Sequence, residues 1–336
     1  MNKKYDVFSL GNALVDVEIE VSAQELARLD IEKGLMTLVE QERHDYLLSE
    51  LQGKSHQRAS GGSAANSIFA LAQLGGKGYH CCKVAKDEAG DFYASDLNSA
   101  GVDNNIAGLT NNDGTTGKCL VMVTPDADRT MNTFLGISSE QQPEDIDPQA
   151  LMQSEYLYIE GYLVTSESNH NTALAAKKMA DDNGIKVAYT LSDPNMVRFF
   201  RPQIEQILAG GVDLLFCNED EALEFTEQGN CDAALESLKA QARQVVITLG
   251  DKGALYFDGE KTHAIAPFEA EAVDSNGAGD MFAGAFLFAL TQGYSADNCG
   301  KLASFCSSYL VTQFGPRLKA SAVQTIQDFN QELQSS

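Results

Sequence analysis

Apolar residues along this chain fall into short runs whose spacing switches between two-residue alternation and helical repeats. Val7 to Leu10 predicts a first strand. Val15-Asp16-Val17-Glu18-Ile19-Glu20-Val21 predicts a second, in which apolar and acidic side chains alternate. Such a strand puts one face on a core and leaves the other wet or under a movable cover. Helical patterns follow around 23–29 and 40–52, and then over Ser63 to Leu74, where Ile68, Leu71 and Leu74 share a face and Gly75-Gly76 stops the run. Tyr79 to Val84 reads as a strand and Glu88 to Ser99 as a helix. A second β patch, Lys118 to Val123 and Arg129 to Phe134, is joined by the turn Pro125-Asp126-Ala127-Asp128.

From Tyr156 onward strands at 156–160, 186–191, 212–216 and 244–249 are separated by segments long enough for crossover helices. That spacing predicts an α/β fold with a mostly parallel sheet and helices on both faces. Gly253 to Phe257 and Thr262 to Ala266 read as a late hairpin, and helices near 278–291, 296–311 and 321–333 finish the chain. With no internal repeat and no Pro/Ser-rich linker, residues 1–336 read as a single domain carrying a small β insertion.

Charge narrows what this fold can serve. Acidic residues number 48 against 24 basic ones, a formal net charge of −24, so binding of nucleic acid or anionic membrane through a general basic surface is excluded. The same charge repels an anionic substrate, and any phosphate site must be built locally. The N-terminus runs into a strand pattern without an apolar signal core, and Met281 to Leu290 is about half of the ~20 residues a membrane helix needs. Seven cysteines with no C-x-x-C pair fit a reduced, cytoplasmic thiol pool and argue against zinc.

The chemistry concentrates in three segments. Asp274-Ser275-Asn276-Gly277-Ala278-Gly279-Asp280 leads directly into an apolar helix. Small residues let a ligand approach the backbone there, and the first amides of the helix have no intrahelical acceptor, which makes an anion site. Asp280 falls in the first turn, where the helix dipole favours its ionised form. A carboxylate beside an anion site suits removal of a proton from a hydroxyl while phosphoryl charge builds. A Gly-Ala-Gly turn also simply caps helices, so the segment needs company. Ser60-Gly61-Gly62-Ser63-Ala64-Ala65-Asn66 opens the first long helix and offers tight approach together with a donor–acceptor amide. Asn12 and Asp16 bracket the end of the first strand, where they could grip vicinal hydroxyls. Other phosphate loops fail: Asn112 and Cys119 break a Walker-A reading at Gly117-Lys118, and Phe282 replaces the third glycine of a dinucleotide motif.

In this order the segments resemble the ribokinase (PfkB) family of carbohydrate and nucleoside kinases, over nearly the whole chain. Gly61-Gly62-x-x-x-Asn66 is similar to the family's N-terminal signature and Asp274 to Asp280 to its C-terminal one. Asn218-Glu219-Asp220-Glu221 is similar to its N-x-x-E motif, and Val246 to Gly253 to its nucleotide-binding strand and turn. The resemblance implies a ribokinase-like three-layer sandwich, with a small β-sheet lid formed by inserted segments at about 13–60 and 108–136. It implies a phosphotransferase using ATP and Mg²⁺. Asp280 would be the base on the acceptor hydroxyl, and the amides of Gly277, Ala278 and Gly279 the anion hole. Glu221, with Asn218, would act on Mg²⁺ through water, while Thr248, Gly250, Gly253 and Asn276 would lie along ATP. Asp274 and Ser275 sit where some members bind a monovalent cation such as K⁺ through backbone carbonyls. Arg129 is either a local cation in the lid or a solvated turn residue.

Within the family, Gly11 to Asp16, Tyr158 to Thr165 and Asp213 to Glu219 look most like the adenosine kinases. That likeness implies a ribonucleoside acceptor, adenosine first, with Asn12, Asp16, Gly61, Gly62 and Asn66 around the ribose and Asp280 on the 5′-hydroxyl. Tyr162 and Leu163 would lie by the base. Animal-type members carry a second aromatic where Leu163 stands, so stacking would fall to Tyr162 or to a lid residue such as Met36. Asp193-Pro194-Asn195-Met196-Val197-Arg198 resembles a stretch of some sugar kinases, which keeps a free sugar such as ribose or fructose as the alternative acceptor. A ligand sensor without turnover is a third reading, against which Asp280 and the glycine turn weigh. The partners implied are small molecules, with no nucleic acid and no membrane. An exposed lid strand would allow either a monomer or a homodimer through the lid.

Overall fold

The computed structural model describes residues 3–54, 56–126 and 129–335. In chain order its strands are β1 (Tyr5–Leu10), β2 (Leu14–Glu20), β3 (Met36–Leu38), β4 (His56–Gly61), β5 (Gly78–Cys81), β6 (Asp103–Asn104) and β7 (Gly117–Val123). They continue with β8 (Arg129–Phe134), β9 (Ser154–Ile159), β10 (Lys186–Thr190), β11 (Val212–Asn218), β12 (Ala242–Thr248), β13 (Ala254–Phe257) and β14 (Thr262–Ile265). Nine of them form one sheet in the order β14-β13-β12-β11-β10-β9-β1-β5-β6. It is parallel from β12 to β6, and only the terminal hairpin joins antiparallel.

Strand alternation divides this sheet between two cores. Tyr156, Tyr158, Leu214, Phe216 and Val246 face one core, built with helices Ser63–Gln73, Ala278–Thr291 and Ala296–Leu310. Leu157, Ile159, Leu215, Cys217, Val245 and Ile247 face the other, beneath helices Glu167–Asp182 and Pro194–Leu208. Strands buried on both faces read as continuous apolar runs, which is why their positions were legible. The architecture is the three-layer α/β sandwich expected. No helix among the described residues is long and apolar enough to cross a membrane.

The remaining five strands make a small sheet, β3-β8-β7-β2-β4. On β2, Val17 and Ile19 join Leu120 and Met122 of β7 under Leu26, Leu29, Leu47 and Leu51. The chain's own helices Ala23–Arg28 and Gln41–Glu50 therefore cover one face of the small sheet. The opposite face, carrying Asp16, Cys119 and Val121, lines a cavity.

The strands differ in part from the sequence expectation. The strand read at 79–84 pairs only over Gly78–Cys81. β4 was not foreseen, because His56-Gln57-Arg58-Ala59-Ser60-Gly61 has no apolar alternation; it is an edge strand paired only to β2. Ala127 and Asp128 of the turn read at 125–128 lie outside the described residues.

Helices Ser63–Gln73 and Ala278–Thr291 pack closely because Gly284 has no side chain. A Cβ there would collide with the Ser67 carbonyl oxygen and lie 2.7 Å from the Ala70 Cβ. Gly284→Ala should therefore destabilise the fold by about 1–3 kcal/mol, the usual cost of overpacking. Helix propensity alone would favour alanine by about 1 kcal/mol. Urea unfolding reads the sign, and a stabilised variant would contradict this packing.

Candidate active site

The cavity, of about 480 Å³, lies between the small sheet and the carboxyl ends of the parallel strands, the usual ligand position in open α/β sheets. Successive strand ends supply its polar groups: Asn12 after β1, Glu160 after β9, Thr190 and Ser192 at β10, Asn218 at β11 and Thr248 at β12. Asp16 enters from the small sheet, and Ser63 and Asn66 from the first turn of helix Ser63–Gln73. Ser275, Asn276, Gly277, Ala278, Gly279 and Asp280 close the remaining side.

Gly277 begins the helix Ala278–Thr291 in a left-handed conformation (φ +74°), pressed against Pro316 so closely that a Cβ would lie 2.7 Å from the proline Cβ. Ala278 donates its amide to the Ser275 carbonyl at 3.3 Å. Among the described residues, the amides of Gly277, Gly279 and Asp280 have no protein acceptor, so Ala278 is the one member of the expected anion hole that is engaged and Asp280 adds a donor. A Cβ on Gly279 would meet no atom within 4 Å. The turn thus presents unpaired N–H groups to open space, a fit for a phosphate oxygen.

Asp280 is held by two donors from a distant part of the chain. Ser63 Oγ donates to its Oδ1 at 2.6 Å and Asn66 Nδ2 to its Oδ2 at 3.0 Å. Burial raises its pKa to about 6, against the pull of those two hydrogen bonds and of Arg317. The carboxylate is therefore ionised at neutral pH yet close enough to titrating to accept a proton.

Asp16 stands opposite, beside Gly61, where a Cβ would collide with its carboxylate. Burial lifts its pKa to about 7, opposed by Arg317 and Arg129. Glu160 is buried and accepts from the Asn12 amide at 3.3 Å, from Asn12 Nδ2 at 3.0 Å and from the Ala64 amide at 2.8 Å. Burial lifts its pKa to about 7 as well. Asn12 lines the cavity; its amide oxygen accepts from Ser138 Oγ and Asn169 Nδ2, and its Nδ2 donates to Glu160 with one of two hydrogens.

Asn218 and Glu221 form a capping box at the start of helix Glu219–Thr226, and burial raises the Glu221 pKa to about 7. Among the described residues no group of three or more His, Cys, Asp or Glu side chains could hold a metal. Asn218 and Glu221 both line the cavity, and their oxygens are donors of the kind that Mg²⁺ takes.

Several sequence candidates do not reach the cavity. Leu163 is 1% exposed in the core beneath the sheet; it follows Tyr162 in a tight 3₁₀ turn, so the two side chains diverge and only Tyr162 lines the cavity. Gly250 and Gly253 also lie outside the lining, and Gly253 (φ +92°) is there because a Cβ would collide with the Ile265 carbonyl in the hairpin. Gly61 backs Asp16 instead of meeting the cavity itself. Asp274 is buried with its carboxylate taken by Arg129 and by the amides of Asn276 (3.0 Å) and Gly315 (2.8 Å). Arg129 also donates to Glu18 at 3.1 Å, tying the small sheet to the 274–280 turn. Neither Glu160 nor Ser63 was singled out from sequence, although Ser63 lies inside the quoted glycine cluster.

With this geometry in view, the chain matches the pfkB family carbohydrate kinase model over residues 36–322 and belongs to that family. It is a kinase, and membership makes ATP its co-substrate. Its fold superposes with TM-score 0.89 on an adenosine kinase from Sinorhizobium meliloti, 33% identical, covering 98% of this chain and 99% of that one. A probable sugar kinase protein from Rhizobium etli CFN 42 matches with the same TM-score and coverage at 32% identity. The adenosine kinase of Schizophyllum commune is 28% identical over 96% of this chain and 99% of its own.

Two outcomes follow from the site's electrostatics and packing. Asp16, Glu160, Glu221 and Asp280 all titrate above their unfolded values of about 4. Between roughly pH 4 and 7 the folded chain therefore binds more protons than the unfolded one, and these groups lower stability as pH rises through that window. Asp16→Asn should raise the thermal midpoint at pH 7.5 by about 2–4 °C, and by less at pH 5; a fall at pH 7.5 would contradict the sign. Gly61→Ala should displace the Asp16 carboxylate, raising KM for the acceptor roughly tenfold with KM for ATP unchanged. Steady-state kinetics with each substrate varied in turn checks this.

Proposed function

We propose that this kinase phosphorylates the primary hydroxyl of a ribonucleoside, adenosine first. The carrying observation is the mixed lining of the cavity. Asp16 on the small sheet faces Asn66 and Asp280, while Leu14, Met36, Leu38, Val121 and Met131 of the same sheet, with Leu135 just after it, add apolar surface. A ribose fits between the carboxylates and a flat base against the apolar surface. A free sugar would leave hydroxyls facing aliphatic groups that cannot hydrogen-bond them, at a cost of about 1–3 kcal/mol each. The relatives that are adenosine kinases support the same acceptor.

The stretch that favoured a sugar has another use here. Asp193 caps helix Pro194–Leu208 by accepting from the Asn195 amide at 2.7 Å, and Arg198 pairs with Glu224 at the surface. Neither lines the cavity.

In this reading the acceptor lies with its ribose hydroxyls near Asp16 and its primary hydroxyl on Asp280. Asp280 takes the proton as the hydroxyl oxygen bonds to the γ-phosphorus and the bond from that phosphorus to the bridging oxygen breaks, leaving ADP. Charge on the transferring phosphoryl is met by the amides of Gly279 and Asp280. Mg²⁺, reached through water from Glu221, would supply charge neutralisation on the phosphates. Thr248 and Asn276 line the cavity, and the nucleotide would lie along them. A K⁺ near Asp274 and Ser275 would rest on backbone carbonyls, since the Asp274 carboxylate is already engaged. Because its own helices cover the outer face of the small sheet, a homodimer through the lid would pair along the edge strands β3 or β4, and the chain acts either so or as a monomer.

ADP release over a panel of nucleosides and sugars tests the acceptor. Turnover of adenosine without ribose or fructose is expected, and the reverse would overturn the assignment. Asp280→Asn should lower kcat by about 10²–10⁴ with the acceptor KM changed only a few-fold. Full activity in that variant would remove Asp280 as the base. Ligand binding without any ADP from the unaltered protein would mark a sensor.

A further inference from the structure

The segment Gly315-Pro316-Arg317, which follows helix Ala296–Leu310, touches three parts of the site. Gly315 donates to Asp274, Pro316 packs on Gly277, and Arg317 reaches across to helix Ser63–Gln73 and the end of β4. The Arg317 guanidinium lies 3.3 Å from the centroid of the Phe69 ring. Its Nη1 donates to Asp96 Oδ2 at 2.7 Å and its Nη2 to the Ser60 carbonyl. The remaining edge, Nε, faces Asn66 Oδ1 at 3.4 Å. Arg317 itself does not line the cavity.

We propose that Arg317 is a positioning residue that fixes which way the Asn66 amide faces and so keeps its NH₂ group on Asp280. A carboxamide can turn over and exchange its donor and acceptor ends. Here a reversed Asn66 would set its NH₂ against a guanidinium and its oxygen against a carboxylate, a repulsion at both ends. Arg317 cannot move aside to relieve it, because Asp96, Ser60 and Phe69 hold the planar fork in place. The outcome is a base that always has its second donor, which favours the ionised carboxylate. The positive charge of Arg317 acts in the same direction on both Asp280 and Asp16. This inference rests on Asp280 being the base.

Arg317→Lys is the informative variant. A single ammonium can keep the pair with Asp96, and with it the fold, but cannot also serve Asn66. The expected result is an acid limb of the kcat–pH profile displaced to higher pH, a fall in kcat at pH 6 of roughly tenfold, and KM for ATP within about twofold. Arg317→Gln should show the same displacement with a lower thermal midpoint as well. In an Asn66→Ala background, Arg317→Lys should add less than about twofold, because the group it acts through is gone. A folded Arg317→Lys protein with an unchanged acid limb, or effects that multiply in the double variant, would overturn the inference. Asp280→Asn run alongside separates the two claims. If it retains activity, the assignment of the base fails; if it is inactive while Arg317→Lys keeps the original limb, only the role of Arg317 fails.

Discussion

Ser63 and Asn66 donate to Asp280 across 217 and 214 positions of chain, and the candidate site exists only where those two hydrogen bonds close. They require the first turns of helices Ser63–Gln73 and Ala278–Thr291 to meet at side-chain distance. Gly284 permits this by letting one helix rest on the backbone of the other at Ser67. From that contact the rest follows. The turn before Asp280 aims its free amides into the same space that Asp280 faces, and Asp16 on β2 approaches from the other side.

The net charge of −24 poses a problem that the site solves without a basic patch. Arg129, the lid cation noted in the sequence, is already paired with Asp274 and Glu18. The groups left to face a phosphate are backbone amides at a helix start, whose partial charge needs no side chain and no balancing acid. The acids inside the cavity are themselves held close to titrating by burial. A site of this kind trades stability for reactivity, because four carboxyls are kept where water solvates them poorly.

The central sheet was legible because its strands are buried on both faces and written as apolar runs, as at Leu214 to Cys217. The short glycine segments were legible because they carry small residues at fixed spacing next to a helix start. β4 was not, since an edge strand made of polar residues has no period to read. Glu160 escaped for a related reason: a lone acid at the end of an apolar strand has meaning only once folding brings Asn12 and Ala64 onto it. Leu163 was read beside Tyr162 at the base, but only Tyr162 lines the cavity, because the 3₁₀ turn sends the next side chain into the core. Arg317 lies in a stretch with no motif, and its contacts to Ser60, Asn66 and Asp96 are all distant in sequence.

The central claim, that Asp280 and the Gly279–Asp280 amides face one reacting centre, is tested most directly by a crystal structure with adenosine and a non-hydrolysable ATP analogue. The account predicts the adenosine primary hydroxyl within about 3 Å of an Asp280 carboxylate oxygen, with the terminal phosphate accepting from those amides. A nucleoside bound with that hydroxyl turned away from Asp280, or phosphates seated elsewhere, would contradict it.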